Sequence, residues 1–325
     1  MILEFLVSTI FIFALLFNMY LSIVIMVYGD KTRIPTVYIY NLLMANSLDI
    51  IMLFIGFLLP MLWDDDFYYE FRSITGPVFT LICSFSYEHP HYLSLLMVIQ
   101  RICSVYSPMT KLFNDESLWI YCAIIAILSL ISLIIPFFSE CQINMNQRLL
   151  TFESACAPNR HTITLIQNRY LLVIPFVSMI LNIGLVLYLA VKRGYLMQNS
   201  NRSQSTSTVS VINGPHLMFS KKARNLERTL MLQSISTTTF ILIYEVSAQI
   251  IALFPHIYSE FSYTTKFYIF YIRISCSCLL NFLVYGIATS STRRLLVSNF
   301  KQVFIVQPDA RSAHSTFPKR STLNL

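Results

Sequence analysis

Seven stretches of the chain, each of about 20 residues or more, are apolar almost throughout, and this recurrence limits the fold more than any other property. They cover residues 5–28, 37–62, 76–103, 117–138, 168–191, 228–254 and 266–289. A bilayer core of about 30 Å takes about 20 residues of helix to cross. Backbone N–H and C=O groups find no water there, so each span must be a helix. The expected fold is an all-α membrane protein, a seven-transmembrane helix bundle over residues 1–289. Charged residues make up only 12% of the chain, against about 25% in a soluble domain, and little length is left for a separate catalytic module. The first run exceeds the apolar core of a signal peptide and lacks a small-residue cleavage site, so it reads as a retained span.

Orientation follows from Lys and Arg, which stay on the cytoplasmic side of short loops. With the N-terminus outside and the C-terminus cytoplasmic, 17 of the 23 basic residues face inward, and Asp64, Asp65, Asp66 and Glu70 fall in an outer loop. Residues 290–308 are a candidate amphipathic eighth helix, and 309–325 form a polar cytoplasmic tail. The Ser/Thr-rich stretch 199–213 and the tail are polar enough to be flexible, and phosphates there would change the charge of an inner docking surface. The net charge of +7 is spread over the connections and not gathered on one soluble face, which argues against a nucleic-acid partner. The seven cysteines show neither a CxxC pair nor zinc-ligand spacing, so neither a metal centre nor a cofactor is expected.

Polar groups are costly inside a bilayer, which makes each one within a span a functional candidate. Several stand in a recognisable order. The second span contains Asn41-Leu42-Leu43-Met44-Ala45-Asn46-Ser47-Leu48-Asp49, and the inner end of the third contains Gln100-Arg101-Ile102-Cys103-Ser104-Val105-Tyr106-Ser107-Pro108. The seventh contains Asn281-Phe282-Leu283-Val284-Tyr285, with Arg293-Arg294 beyond it, while Asn18 and Pro175 lie in the first and fifth spans. These runs resemble the N-L-x-x-A-x-x-x-D, D-R-Y-x-x-V-x-x-P and N-P-x-x-Y motifs of rhodopsin-like G-protein-coupled receptors. Gln100 stands in place of the acid, Ile102 in place of the first Tyr and Phe282 in place of the Pro. Departures of this kind are similar to those of the divergent chemosensory serpentine receptors of nematodes, the Srxa class.

The resemblance implies a receptor, not an enzyme, in the plasma membrane of a sensory cell or its cilium. Its partners would be membrane lipid, a small extracellular ligand held toward the outer side, and a heterotrimeric G protein admitted to an inner crevice. Arg101, Pro108, Asn281 and Tyr285 would form the coupling switch, and Asn18, Asp49 and Asn281 a buried polar or sodium pocket. Glu227, at the base of the sixth span, is the acid placed to hold Arg101 at rest. With Gln100 in place of the usual locking acid, a weaker lock and a higher basal activity are expected.

Cys83 occupies the position where amine receptors of that family carry an Asp, and Ser275 the position of the opsin Lys, so neither a carboxylate-held amine nor a retinal Schiff base is expected. The family's outer Cys of the third span is here Gly76, with Cys83 about two turns deeper. Cys141 and Cys156 are then candidates to pair with each other, with pairings to Cys83 as the alternative. Candidate cavity residues are Cys83, Glu88, His91, Glu245 and Arg273, with Glu245 and Arg273 at similar depth on neighbouring helices and so candidates for an ion pair. Pro90 is expected to kink the third helix beside Glu88. A seven-helix transporter or channel is the rival reading, but no internal repeat of the kind transporters carry is visible.

Overall fold

The computed structural model describes residues 2–28, 36–106, 111–146, 149–203 and 215–305. Its helices follow the apolar runs, because a chain that cannot hydrogen-bond to solvent must satisfy its backbone within each segment. In chain order they are α1 (Ile2–Tyr28), α2 (Thr36–Leu53), α3 (Asp65–Tyr106) and α4 (Asp115–Phe137), then after a β-hairpin α5 (Thr162–Tyr170), α6 (Val173–Ser203), α7 (Pro215–Leu253), α8 (Pro255–Glu260), α9 (Tyr263–Cys278) and α10 (Ser290–Ile305). A π-helical turn, Phe54–Leu58, and a 3₁₀ turn, Leu59–Leu62, extend α2, and a second π-helical segment, Phe282–Ala288, follows α9.

Among the described residues five helical stretches are long and apolar enough to cross a bilayer: Glu4–Tyr28, Thr36–Gly56, Asp115–Phe137, Thr162–Lys192 and Thr229–Ile251. The α9 helix with its π-helical continuation, bent by 56°, makes a sixth if the pair is one span. The remaining long helix, α3, has 42 residues, about 63 Å at 1.5 Å per residue. Glu88, His89, His91 and Arg101 interrupt its apolar run, and all four are buried. That combination fits its position at the centre of the bundle, packed against α2, α4, α6 and α7, while α1 lies on α2 and α9, and α7 on α6 and α9. Apolar side chains point outward, Ile120, Ile124, Ile127 and Ile131 on α4 and Phe176, Ile180, Ile183 and Leu187 on α6 being exposed. Polar ones point in.

Three boundaries differ from the sequence reading. The third helix starts at Asp65, not near residue 76, so that part of the acidic stretch read as loop forms its beginning. Asp65 and Asp66 sit in its first turn, where negative charge opposes the helix dipole favourably. The fifth apolar run is split between α5 and α6, because Pro175 has no N–H to give to Leu171 and the Leu171 carbonyl instead accepts from Ile174 N at 3.2 Å. Lastly, the connection after α4 carries structure that the sequence did not indicate. It forms an antiparallel hairpin, β1 (Ile143–Asn146) and β2 (Thr151–Ser154), with Met145 opposite Phe152.

The hairpin is fastened twice. A disulfide joins Cys141 to Cys156 at its open end, and a polar network docks it on the outer part of α3. Arg72 Nε donates to Met145 O at 3.2 Å, and the Arg72 guanidinium is ion-paired with Glu153. Asn146 Nδ2 also donates to Glu153 at 2.8 Å, Met145 N donates to Thr80 Oγ1 at 3.1 Å, and Asn144 Nδ2 donates to Arg72 O at 3.1 Å. Gly76 lets the strand approach: a Cβ there would run into the Asn144 side-chain amide. Where the resembling family has an outer Cys, this chain has a close contact that needs a missing side chain.

Gly76→Ala is therefore expected to displace Asn144 and destabilise the protein by about 1 kcal/mol, the worth of the Asn144–Arg72 bond. Gly76→Ala with Asn144→Ala should lose less thermal stability than the two single changes combined, and strict additivity would contradict the contact. A second expectation concerns pH. Burial tends to raise the Glu153 carboxyl, but hydrogen bonds from Arg72 and Asn146 and the Arg72 charge prevail and hold it below its ordinary value. Its contribution is then complete above the ordinary carboxylate value of about 4.3 and is lost as pH falls through the lower folded-state value. Acid should loosen the hairpin of the wild type, read as its rate of hydrogen exchange, and Glu153→Gln should flatten that dependence.

Candidate functional site

The polar residues that the sequence scatters over the spans meet in three layers. In the middle layer Asn46 on α2 is the hub. Its Oδ1 accepts from Asn18 Nδ2 of α1 at 2.9 Å and from Asn281 Nδ2 at 3.2 Å, and its own Nδ2 donates to Ser277 O of α9 at 3.1 Å. Asn281 Nδ2 also reaches Asn18 Oδ1 at 3.1 Å. Three amides thus tie α1 and α2 to the break between α9 and the π-helical segment. The bend occurs without proline. Phe282, in the place of the motif's Pro, packs edge-on between Phe13 and Phe17 of α1, with centroids 5.2 Å away in both cases. Thr289 N bonds Val284 O at 2.9 Å, five residues back, and a π turn of this kind is a recognised cause of helix bending.

The inner layer holds Arg101, buried at the end of α3 within electrostatic reach of the Tyr38 and Tyr285 hydroxyls. Its Nη1 has no hydrogen-bond partner among the described residues. Tyr285, fully buried, accepts from Gln233 Nε2 of α7 at 2.9 Å. Asn182 of α6 bonds Thr238 and Ser234 of α7 at 3.3 and 3.2 Å, so the two helices that carry the inner ends of the bundle are joined by amide and hydroxyl groups.

In the outer layer a cavity of about 530 Å³ lies between α3, α5, α7 and α9, roofed by the hairpin through Ile143, Leu150 and Phe152. Glu88, Glu245 and Arg273 line it. Glu88 accepts from Gln167 Nε2 of α5 at 3.2 Å, and Gln167 also donates to Ser132 of α4 at 3.1 Å. A second, deeper cavity of about 330 Å³ is bordered by Asn46, Asp49, His91 and Tyr244, and Tyr87 and Arg273 line both cavities.

Proton counting defines one pair without reference to acidity. His91 Nδ1 lies 2.9 Å from Tyr87 O and Nε2 lies 2.9 Å from Glu245 Oε1. A carbonyl only accepts, so Nδ1 carries a hydrogen; Nε2 then donates to an ionised carboxylate or accepts from a protonated one. Either way the pair is neutral as a whole. The ion pair expected between Glu245 and Arg273 is not made as a direct contact among the described residues: the carboxylate bonds the imidazole of His91, with Arg273 within electrostatic reach. Arg273 lies over the Tyr244 ring, 4.8 Å from its centroid, and is hydrogen-bonded to that side chain, while its Nε has no hydrogen-bond partner among the described residues.

Residues 33–183 match the family of Caenorhabditis serpentine receptor-like proteins, class xa. Serpentine receptor class XA 10 of Caenorhabditis elegans is 29% identical over 289 residues, covering 86% of this chain and 84% of the relative. The chain is similar to the class xa serpentine receptors. Its apolar helices make this receptor a multi-pass membrane protein.

Not every residue singled out in the receptor's sequence lies where the motifs suggested. Cys83 does not line the outer cavity. It is about 100° round the helix from Ser84, which does line it, and is buried with Ile50, Leu53, Tyr271 and Ile274. His91 borders the deeper cavity and reaches the outer one only through Glu245. Asp49 is buried beside Asn46 along the deeper cavity, while Asn281 bonds Asn18 and Asn46 instead. Pro108 lies outside the described residues, as does the side chain of Glu227, whose backbone is in α7. Asn46, Gln167 and Gln233 carried no role in the sequence reading. Asn46 had a visible signal in being three residues before Asp49 on a helix, hence on nearly the same face.

Asn46→Ala would leave Asn18 and Ser277 O short of partners in a dry interior and is expected to cost about 1–3 kcal/mol. Ser47→Ala, which removes only the second, 3.2 Å acceptor of Asn18, should cost less. Thermal unfolding of the purified receptor checks both, and equal losses would contradict the hub.

Proposed function

We propose that this receptor is a G-protein-coupled chemoreceptor with seven spans and its N-terminus outside. A small extracellular ligand occupies the cavity beneath the hairpin, and the inner ends of the helices engage a heterotrimeric G protein. The orientation is supported by the basic residues, 17 of 23 of which then face the cytoplasm. The seventh span is α3, whose buried charges hide its length from an apolarity criterion. The plasma membrane of a sensory cell is the site at which such a molecule meets external chemicals.

One observation carries the reading: the outer cavity is continuous in its lining with the switch layers below. Arg273 and Tyr87 belong to both cavities, the deeper cavity borders Asn46, and Asn46 holds the bend of α9 through Asn281. Four residues beyond Asn281, Tyr285 stands beside Arg101 and is tied to α7 by Gln233. A ligand that favours one arrangement of α7 and α9 from above therefore biases the surroundings of Arg101 below. A shift of this sort requires only that the ligand bind the two arrangements unequally. With Gln100 in place of a locking acid, the resting state is held loosely and basal signalling is expected.

The test is a cell reporting G-protein activation, with surface amounts of receptor matched. Wild type should give a basal signal above that of empty cells, Gln100→Asp should lower it, and Arg101→Ala should bring it to background. A signal that is the same for wild type and Arg101→Ala would overturn the coupling role.

A further inference from the structure

Two ionisable groups of opposite sign in the outer cavity, Glu88 and Arg273, make no ion pair at contact distance among the described residues. The His91–Glu245 pair is neutral as a unit, by the hydrogen count above. Glu88, buried on α3, accepts a hydrogen bond only from the neutral amide of Gln167, and no cation pairs with it among the described residues. Arg273, on α9, makes no ion pair at contact distance with Asp49, Glu88 or Glu245 among the described residues; Glu245 lies within electrostatic reach but is already bonded to His91, Tyr244 is its hydrogen-bond and ring neighbour, and its Nε is left without an acceptor among those residues. Ion-paired groups elsewhere in this receptor, such as Arg72 with Glu153, sit at the outer rim and closer to water. A carboxylate and a guanidinium held apart in one buried cavity are costly to maintain. Their cost is offset when something between them supplies both missing charges.

We propose that the outer cavity recognises a small zwitterion, its ammonium set against Glu88 and its acid group against Arg273, as carried by a free amino acid or a short peptide. This rests on the cavity being the ligand site of the receptor. The guanidinium fork suits a carboxylate, to which it presents parallel donors. Thr164, whose Oγ1 is also buried without a partner on the cavity wall, adds a hydroxyl for the same ligand. The remaining lining is largely apolar, with Leu81, Leu133, Phe137, Ile251 and Phe270 among it, so an apolar side chain is favoured on the ligand. Volume agrees: about 530 Å³ is within the range of pockets that take small molecules. A ligand with one charge would leave either the buried Glu88 or the half-buried Arg273 without a direct partner of opposite charge.

Binding is measured on purified full-length receptor in lipid nanodiscs as ligand-induced thermal stabilisation, which needs no G protein and so separates failure of the ligand class from failure of coupling. The probes are phenylalanine, leucine and the dipeptide Phe-Leu, set against 3-phenylpropanoic acid, which lacks the ammonium, and phenethylamine, which lacks the acid. At least one zwitterion should stabilise the wild type while both single-charge analogues do not, and comparing the amino acids with the dipeptide tells which source is used. Glu88→Gln, which keeps a partner for Gln167, should weaken zwitterion binding by about tenfold or more, the loss expected of one charged hydrogen bond. The same variant should gain affinity for 3-phenylpropanoic acid relative to wild type. Arg273→Gln should do the converse with phenethylamine. Equal stabilisation by an acid or amine alone, or none by any zwitterion, overturns the proposal, and neither result depends on a variant folding.

Discussion

A polar group placed in hydrocarbon must find its partner inside the protein, and the arrangement of this receptor depends on that constraint at each level. It makes every span a helix, since no other open structure satisfies the backbone there. It turns those helices so that Asn18, Asn46, Glu88, His91, Arg101, Glu245 and Asn281 are buried while isoleucines of α4 and α6 face outward. Hydrophobic burial adds little selectivity between helices in a lipid solvent, so the polar contacts do much of the work of deciding which helices meet. Asn46 shows how: one amide contacts α1, α9 and Asn281 together.

The same constraint accounts for the central helix. A helix carrying one acid and two imidazoles in its middle, Glu88, His89 and His91, is too polar to face lipid, and α3 avoids doing so by lying against α2, α4, α6 and α7. Its polar groups then become the natural walls of cavities. Glu88 and, through Glu245, His91 contribute to the outer one, and Arg101 closes the inner end. The hairpin completes the enclosure at the end of α3 remote from Arg101. Its attachment combines a local disulfide within the loop with polar bonds to Arg72 and Thr80 on α3 and a close approach over Gly76, so the roof is fixed to the helix without a covalent bond to it.

The bend in the last span is a case where a motif residue is replaced and its geometric consequence is retained. Phe282 cannot break a helix as proline does, yet the axis turns by 56°. The π-helical segment takes up the change, with the Asn281 amide engaged on one side and Phe282 wedged between Phe13 and Phe17 on the other. Reading the substitution as loss of the bend would have been wrong, because the cause lies in neighbouring helices as much as in the local backbone.

The apolar runs, the inward bias of basic residues and the ordered polar residues around Asp49, Arg101 and Asn281 were legible in the sequence, because hydropathy, charge and motif spacing are local properties of a chain. From them came the helical membrane class and the receptor resemblance. The sequence could not say which polar groups would meet. Glu245 and Arg273 share a depth on adjacent helices, but depth does not specify rotation about the axis, and it is the rotation that gives Glu245 to His91 and turns Cys83 away from the cavity. Nor could it reveal the docked hairpin, whose contacts join Arg72 and Gly76 to residues some 70 positions onward. Those pairings arise only when helices of fixed composition pack at particular angles, and tertiary structure alone decides that.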